Sequence, residues 1–488
     1  MRRSVPILAL VLCSSAVFAR SPKYEKPTVE IPQNWQAPSP WRQATPKDSI
    51  PKGIWWSLFA DPELSQYEQN AVSNNQSLKA AVARLAEARS FARITAADLY
   101  PQLNAGVSAQ RQRLSGNRPL LGGTAATTPV TQSVFQIPFD LNYEVDLFGR
   151  VRYAVKAANA NYQASAADLE NVRLTITAEV AADFFQLREL DAEMAVVQKA
   201  IDYEQKGLQL VENRHAGGAS SGLDVAQQET LLDASRAQLS LLQQQRDLFQ
   251  HALATLQGVP ASNFVAPVKP LNAEPPAVPL ALPSELLERR PDVATAERDA
   301  AAANARIGVA RAALFPSISI GGAGGFESRA ISSLLNVSST FWSLGISALQ
   351  PVLNGGRNRA VLENARAAYE ENAANYREST LVAFQQVEDA LSGLNALSSA
   401  YDSQQRAVSA ADRALTLANA RYSGGLVTYL DVITAQEQLL TNERLAAQIQ
   451  GQRLISSVLL VKALGGGWDS SSLSAIGIKP SIKSAFQP

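Results

Sequence analysis

The sequence predicts a mainly α-helical chain with a membrane β-barrel part: four strands per chain, long coiled-coil helices and an internal tandem repeat. Three observations carry that reading. The first is the repeat itself: Arg214-His215-Ala216-Gly217-Gly218 with Leu223-Asp224-Val225 returns 207 residues later as Arg421-Tyr422-Ser423-Gly424-Gly425 with Leu430-Asp431-Val432. At the same offset Gly149-Arg150 recurs as Gly356-Arg357, and Leu256-Gln257-Gly258 as Ala463-Leu464-Gly465. Upstream the offset is 215, pairing Leu99-Tyr100-Pro101 with Leu314-Phe315-Pro316, so the first copy carries eight extra residues between Pro101 and Arg150. Two copies of one supersecondary unit build a pseudo-symmetric body. The second observation is a long run of strict apolar–polar alternation. The third is a set of helical stretches far longer than a globular domain needs.

The N-terminus reads as an export signal over residues 1–19: Arg2-Arg3, an apolar run from Val5 to Leu12, then Val17-Phe18-Ala19. Cleavage after Ala19 removes Cys13, the single cysteine, so the mature chain has no disulfide or thiolate chemistry. Lipidation at Cys13 is the rival reading, opposed by the bulk of Leu12 just before it. No later segment reaches about 18 uninterrupted apolar residues, so no transmembrane helix is predicted. The 44 basic and 44 acidic residues balance, leaving no basic excess to engage nucleic acid.

Residues 20–60 are rich in proline and tryptophan without periodicity and predict an extended arm, with Trp55, Trp56 and Phe59 anchoring it by burial. The first repeat, 61–258, opens on a helix that Asp61-Pro62-Glu63 starts as N-cap, first residue and first-turn acid. Pro101 breaks it, strands follow over 101–147, and a long helical hairpin fills 150–257. A proline-rich connector spans 259–290. The second repeat, 291–467, has a helix, strands over 316–350 and a hairpin over 357–464, with a tail at 468–488.

The clearest strand is Phe135 to Leu147, where Phe135, Ile137, Phe139, Leu141, Tyr143, Val145 and Leu147 alternate with polar residues. Alternation of this kind ordinarily marks a half-buried soluble strand. A run of thirteen residues exceeds the usual five or six, however, and suits the roughly 9–11 residue tilted strand of an outer-membrane barrel. Its partner is Leu103 to Gln110, and the second copy supplies Ile318 to Phe326 and Phe341 to Leu349. Four strands cannot close a barrel, which begins at about eight, and an open edge in lipid leaves backbone groups unsatisfied. Membrane strands therefore require several chains to share one barrel; three chains give twelve strands.

Between the strand pairs, Leu169, Val172, Ile176, Val180, Phe184 and Leu187 recur at spacings of three and four, and Leu232, Leu239, Leu242, Phe249, Leu253 and Leu256 form a near-heptad stripe. From Arg150 to Asn213 there is no proline and one glycine, Gly207. A continuous helix over that stretch reaches about 95 Å.

Catalytic chemistry finds no home in this pattern. Gly218-Ala219-Ser220-Ser221-Gly222 has the letters of a nucleophile elbow but follows a helix rather than a strand, and the other copy puts Val427 in place of Ser220. His215 and His251 are the only histidines, with no ligand spacing. Two methionines give no thioether path for copper, and no cofactor is predicted. The glycine run at 321–325 lacks the strand–turn–helix context of a nucleotide site and is expected to line a barrel wall. What remains is the duplicated tip. Asp224 and Asp431 are either first-turn carboxylates favoured by the helix dipole or, in a trimer, rings of carboxylates that favour cations at a constriction.

Several segments then carry a resemblance: Trp55-Trp56 with Leu58-Phe59 and Asp61-Pro62; Phe139-Asp140-Leu141 and Asp146-Leu147-Phe148-Gly149-Arg150; Arg290-Pro291-Asp292 with Ala303-Asn304-Ala305; Phe315-Pro316-Ser317-Ile318; and Ala463-Leu464-Gly465-Gly466-Gly467-Trp468. Over nearly the whole mature chain the sequence resembles the outer membrane efflux proteins, in the branch that serves resistance-nodulation-division drug pumps. The resemblance implies a homotrimer in outer-membrane lipid, a twelve-stranded barrel continuous with an α-helical barrel across the periplasm, and an inner-membrane pump and periplasmic adaptor as partners. It implies a closed tip held by Asp224 and Tyr422 with Asp431 nearby, and adaptor contact at Gly217, Gly218, Arg421, Gly424 and Gly425. The chain departs from some relatives at Val427 and Thr434, where an arginine and an aspartate stand, which implies a looser lock. A type I protein-secretion channel of the same architecture is the alternative function, and a soluble coiled-coil scaffold is the reading that the long apolar strand face opposes.

Overall fold

The computed structural model describes residues 24–33, 35, 53–117, 128–271, 273–278 and 288–477. The signal segment with Cys13, and residues 478–488 of the tail, lie outside the described residues.

The chain opens on helices α1 (Pro62–Asn74) and α2 (Gln76–Ala97). Asp61 caps α1, accepting from the Glu63 and Leu64 N–H groups, with Pro62 in the first turn. The single helix expected here is broken at Asn75, whose side-chain oxygen caps the Leu78 N–H at 3.0 Å while its amide donates to the Leu256 carbonyl at 2.9 Å. One buried asparagine thus ends one helix, starts the next and ties both to the far end of the first hairpin.

The sheet is fully antiparallel. Strands β1 (Gln102–Ala105) and β2 (Ser108–Leu114) both pair with β3 (Val130–Val145), which pairs with β4 (Ser317–Ser328), which pairs with β5 (Thr340–Leu349). β1 and β2 share one register on β3 and form a single strand interrupted at Gly106-Val107. Pro138 lies opposite the break, where its missing N–H removes a ladder bond, although the Gly106 N–H still reaches the Pro138 carbonyl. The chain therefore contributes four strands to an open sheet whose edges are the β1–β2 strand and β5.

Register sorts the sheet into two faces. Rungs Leu103–Leu141–Gly322–Leu344 and Ala105–Phe139–Gly324–Trp342 form one, entirely apolar. Rungs Asn104–Asp140–Ala323–Ser343 and Gln102–Asn142–Gly321–Gly345 form the other. Leu103, Val107, Trp342, Leu344 and Ile346 are exposed, Trp342 by 81%. Gly322 and Gly324 sit between larger neighbours: a Cβ on Gly322 would lie 3.4 Å from Leu344. The glycine run thus packs the wall beneath flanking side chains.

The two hairpins repeat to the residue. Helix α3 (Arg150–Ala216) has 67 residues and α4 (Gly222–Leu256) has 35. After α5 (Pro291–Ala312), helix α6 (Arg357–Ser423) again has 67 residues and α7 (Tyr429–Ala463) has 35. At 67 residues, α3 is about 100 Å long. It packs along α2, α4, α5 and α7, whereas α6 packs on α5 and α7.

The largest core lies at the waist, where Trp55, Trp56 and Phe59 pack with Phe184, Phe185, Tyr376, Leu391 and Leu454. Trp55 Nε1 donates to Thr177 Oγ1 at 3.1 Å, so the aromatic arm is anchored by burial and by a hydrogen bond. Arg290 ties the connector to the end of α7 by donating to the Ala463 carbonyl at 3.2 Å while pairing with Asp292.

Candidate gating site at the helical tip

The two turns that end the hairpins are built alike. Gly218 and Gly425 take φ of 73° and 71°, the left-handed region that favours glycine after a helix. The Ala219 N–H returns to the Arg214 carbonyl at 2.7 Å, and the Leu426 N–H to the Arg421 carbonyl at 2.9 Å, closing both C-termini. Gly217, Gly218, Arg421, Gly424 and Gly425 are all exposed, as are Leu223, Leu426 and Leu430 beside them.

The carboxylates expected at a gate serve first as caps. Asp224 accepts from Ser220 Oγ at 2.8 Å and the Ser221 N–H at 3.0 Å, and Asp431 accepts from Thr428 Oγ1 at 2.7 Å and the Thr428 N–H at 3.1 Å. Within one chain Asp224 therefore takes its hydrogen bonds from its own turn and not from Tyr422, because the capping box aims it backward. Burial pushes the Asp224 carboxyl upward, but the Ser220 and Ser221 hydrogen bonds and nearby His215 together hold it below the usual range. His215 itself rests on the Ser220 carbonyl at 2.9 Å. Tyr422 is buried, its ring beneath the Arg214 guanidinium at 4.7 Å and tilted against Tyr429 at 5.0 Å.

The connection between hairpins runs through residues that the tip motif does not contain. Tyr429 Oη donates to Gln228 Oε1 at 3.0 Å, and Gln228 Nε2 donates to the Glu204 carbonyl at 2.9 Å, joining α7, α4 and α3. Gly207 makes room for this: a Cβ there would lie 2.9 Å from Tyr429 Oη and 3.3 Å from Gln228 Nε2. Burial, with Tyr422 and Asp224 nearby, pushes the Tyr429 phenol up to about 12, so it stays a donor. In the other copy these three positions are Ala414, Ala435 and Gly222, so the latch is unique to one side of each pair.

Above the latch the seam between α3 and α7 is ionic. Lys199 pairs with Glu443 at 3.1 Å, and Glu193 receives Arg444 and Gln448, each at 3.0 Å. Higher still, Glu189 lies directly on Gly451 of α7, where any Cβ would collide with its carboxylate. Burial, opposed by a Gln186 hydrogen bond and reinforced by Glu193, pushes Glu189 up to about 7. Among the described residues no cluster of three or more His, Cys, Asp or Glu side chains is arranged to hold a metal.

The family model for outer membrane efflux proteins matches residues 68–259 and 282–466, one segment on each repeat. The chain belongs to the outer membrane efflux protein family. It is 37% identical over 438 residues to the pyoverdine export outer membrane protein OpmQ of Pseudomonas aeruginosa, covering 89% of this chain and 92% of that protein. It is 30% identical to the cation efflux system protein CusC of Escherichia coli, covering 94% and 97%. Among solved structures, the outer-membrane channel OprN superposes with a TM-score of 0.85 at 29% identity, covering 92% of this chain and 99% of that one. The open-state MtrE channel of Neisseria gonorrhoeae superposes at 0.79 with 29% identity, covering 92% and 99%.

Membership fixes the setting of the geometry above. The protein is an outer-membrane efflux channel with a periplasmic helical extension, and its family conducts solutes passively rather than catalysing reactions. The open four-stranded sheet is the portion of a trimeric barrel that one chain supplies.

Proposed function

We propose that the chain is the passive exit duct of a tripartite efflux assembly, opened at its helical tip by a periplasmic adaptor and fed by an inner-membrane resistance-nodulation-division pump. The observation that carries the reading is the two-faced sheet continuous with helices about 100 Å long, since a lipid-facing wall and a periplasm-long barrel serve transport and little else. The adaptor docks on the exposed turns at Gly217, Gly218, Arg421, Gly424 and Gly425, beside Leu223 and Leu430. Docking parts the hairpins, and Asp224, Tyr422 and Asp431 relinquish their closed contacts as the pore widens. In a trimer Asp224 and Asp431 would each stand three times around the axis, a carboxylate arrangement that favours cations.

The relatives' names speak of pyoverdine, cations and toluene, so substrate choice rests with the pump while the duct discriminates by charge and access. Nothing in the geometry favours the protein-secretion alternative. The test is single-channel conductance of the detergent-purified protein in a planar bilayer, with the oligomer mass taken from the same sample. A trimer whose small conductance rises in Asp224→Ala and Tyr422→Phe supports the gate; unchanged conductance in both removes these residues from it.

A further inference from the structure

The apolar face of the sheet changes character at one end. Helices join the strands at Gln102, Val145, Ser317 and Leu349 and run from there into the periplasm, so the ends at Leu114, Val130 and Ser328 are the extracellular ones. Along β3 the apolar face runs from Val145 through Tyr143, Leu141, Phe139 and Ile137 to Phe135, and then continues as Ser133 and Thr131. From Val145 to Phe135 the strand rises about 34 Å, or about 25 Å in height at the tilt of a barrel strand, which is the full height of an outer-membrane apolar band. Arg111 lies opposite Ser133 and Arg113 opposite Thr131, so both arginines stand on this face just above its last apolar pair, Ala109–Phe135. Both are exposed, and among the described residues no carboxylate or carbonyl meets either guanidinium. The only acid among the described residues of this end is Glu327, which lies opposite Gln136 on the other face.

We propose that Arg111 and Arg113, with the Ser133 and Thr131 hydroxyls beside them, bind the phosphate of an outer-leaflet glycolipid, one site on each chain of the trimer. In a barrel around a water-filled duct the apolar face turns to lipid, and the rung above it stands at the height of the headgroups. Arginines two apart on one strand have Cα atoms about 6.8 Å apart, close enough for both planar forks to converge on one tetrahedral anion. Arginine suits this place better than lysine, because its guanidinium is weakly hydrated and grips phosphate with two parallel bonds. The acyl chains of the bound lipid lie below, along the Ala109–Phe135 and Ala105–Phe139 pairs. Repeated around the trimer, the site collars the barrel and sets its depth in the membrane. It depends on strand register and on the outer-membrane setting, and not on the proposed gate.

The site is tested by native mass spectrometry of the delipidated, detergent-purified trimer titrated with bis-phosphorylated lipid A. The expected result is saturable binding of one lipid per chain, weakened at least tenfold in the Arg111→Gln/Arg113→Gln double variant and at least tenfold for the same glycolipid with its phosphates removed. Arg236→Gln on α4, which removes one positive charge far from the sheet, should leave binding unchanged. Equal binding by the double variant, or equal binding of the dephosphorylated glycolipid, overturns the site and leaves only an apolar belt. Inorganic phosphate that displaces the lipid at equal concentration overturns the lipid assignment and leaves an anion site. The trimer mass in the same spectrum separates lost binding from lost assembly. Arg111→Lys, which keeps the charge and loses the fork, should bind several-fold more weakly than wild type, and an unchanged affinity there would overturn the two-pronged contact.

Discussion

The two hairpins have equal lengths and different waists. In the first, Asp191 is fully buried between Arg188 at 2.8 Å and Arg246 at 2.6 Å, and Arg188 reaches Glu63 of α1 at 2.7 Å. Lys269 of the connector pairs with Glu63 at 2.6 Å and its N–H donates to Asp191, while Arg188 and Arg246 donate to the Pro267 and Ala266 carbonyls. The connector is thus riveted to the first hairpin. In the second, the matching positions are Asn395, Ser398 and Arg453, and Arg453 instead bonds Gln450 at 2.7 Å and lies over the Tyr401 ring at 4.6 Å. Duplication kept the scaffold and placed the rivet on one copy. The connector also reaches the second hairpin, through Arg290 to Gln386 and the Ala463 carbonyl and through Gln450 to the Ala273 carbonyl, but by hydrogen bonds rather than a buried ion-pair network, so the first hairpin is expected to hold its place and the second to move.

The largest effect should come from breaking the rivet. Asp191→Ala leaves the buried Arg246 guanidinium without its carboxylate and takes one of two carboxylates from Arg188, which costs about 3–5 kcal/mol, and thermal unfolding of the trimer should show it as a large fall in Tm or as failed assembly. A melting curve like wild type would mean that the network contributes nothing net. Next is the latch: Tyr429→Phe leaves Gln228 Oε1 without its donor at a cost of about 1–2 kcal/mol, with higher bilayer conductance as the readout, and Gly207→Ala should match it by crowding Tyr429.

A pH effect sharpens the comparison at the seam. Glu189 is raised from 4.5 to about 7 in the fold, so its neutral form is favoured there. The contribution is complete below about 4.5 and is lost as pH climbs through about 7. Trimer Tm should therefore fall over that window, and Glu189→Gln should make the slope shallower, leaving the parts due to Glu68, which burial pushes up to about 10, to Asp183, which burial and Glu179 push up to about 6, and to Glu204 and Asp299, which burial also raises. An identical slope in the variant would show that Glu189 does not titrate there. Smallest is Arg453→Ala, which loses an exposed-side cation–π contact worth about 0.5–1 kcal/mol; a loss as large as that of Asp191→Ala would erase the distinction between waists.

The parts legible in the sequence were those written as periodicity. Alternation located β3, and a weaker alternation located the strand that Pro138 divides into β1 and β2. The helical hairpins followed from uninterrupted three–four spacing. Asn75 escaped because a capping asparagine inside a polar helix looks like any other polar residue. The rivet escaped because Glu63, Arg188, Arg246 and Lys269 meet only after folding, across 206 residues of sequence. At the tip the repeat drew attention to residues shared by both copies, such as Asp224 and Asp431, and these prove to be caps. The latch is made of residues in which the copies differ, Gly207, Gln228 and Tyr429, so divergence between copies was the usable signal.

The most direct test of a fixed first hairpin and a moving second one is a distance measurement between protomers. Leu223 and Leu430 are equivalent, exposed tip positions, and the only native cysteine lies in the predicted signal, so Leu223→Cys and Leu430→Cys each place one spin label per chain. Pulsed electron-spin resonance on the trimer, with and without Tyr429→Phe to open the latch, should show the 430 labels moving apart while the 223 labels hold their spacing. Equal movement of both sets, or movement of the 223 labels alone, would contradict the account.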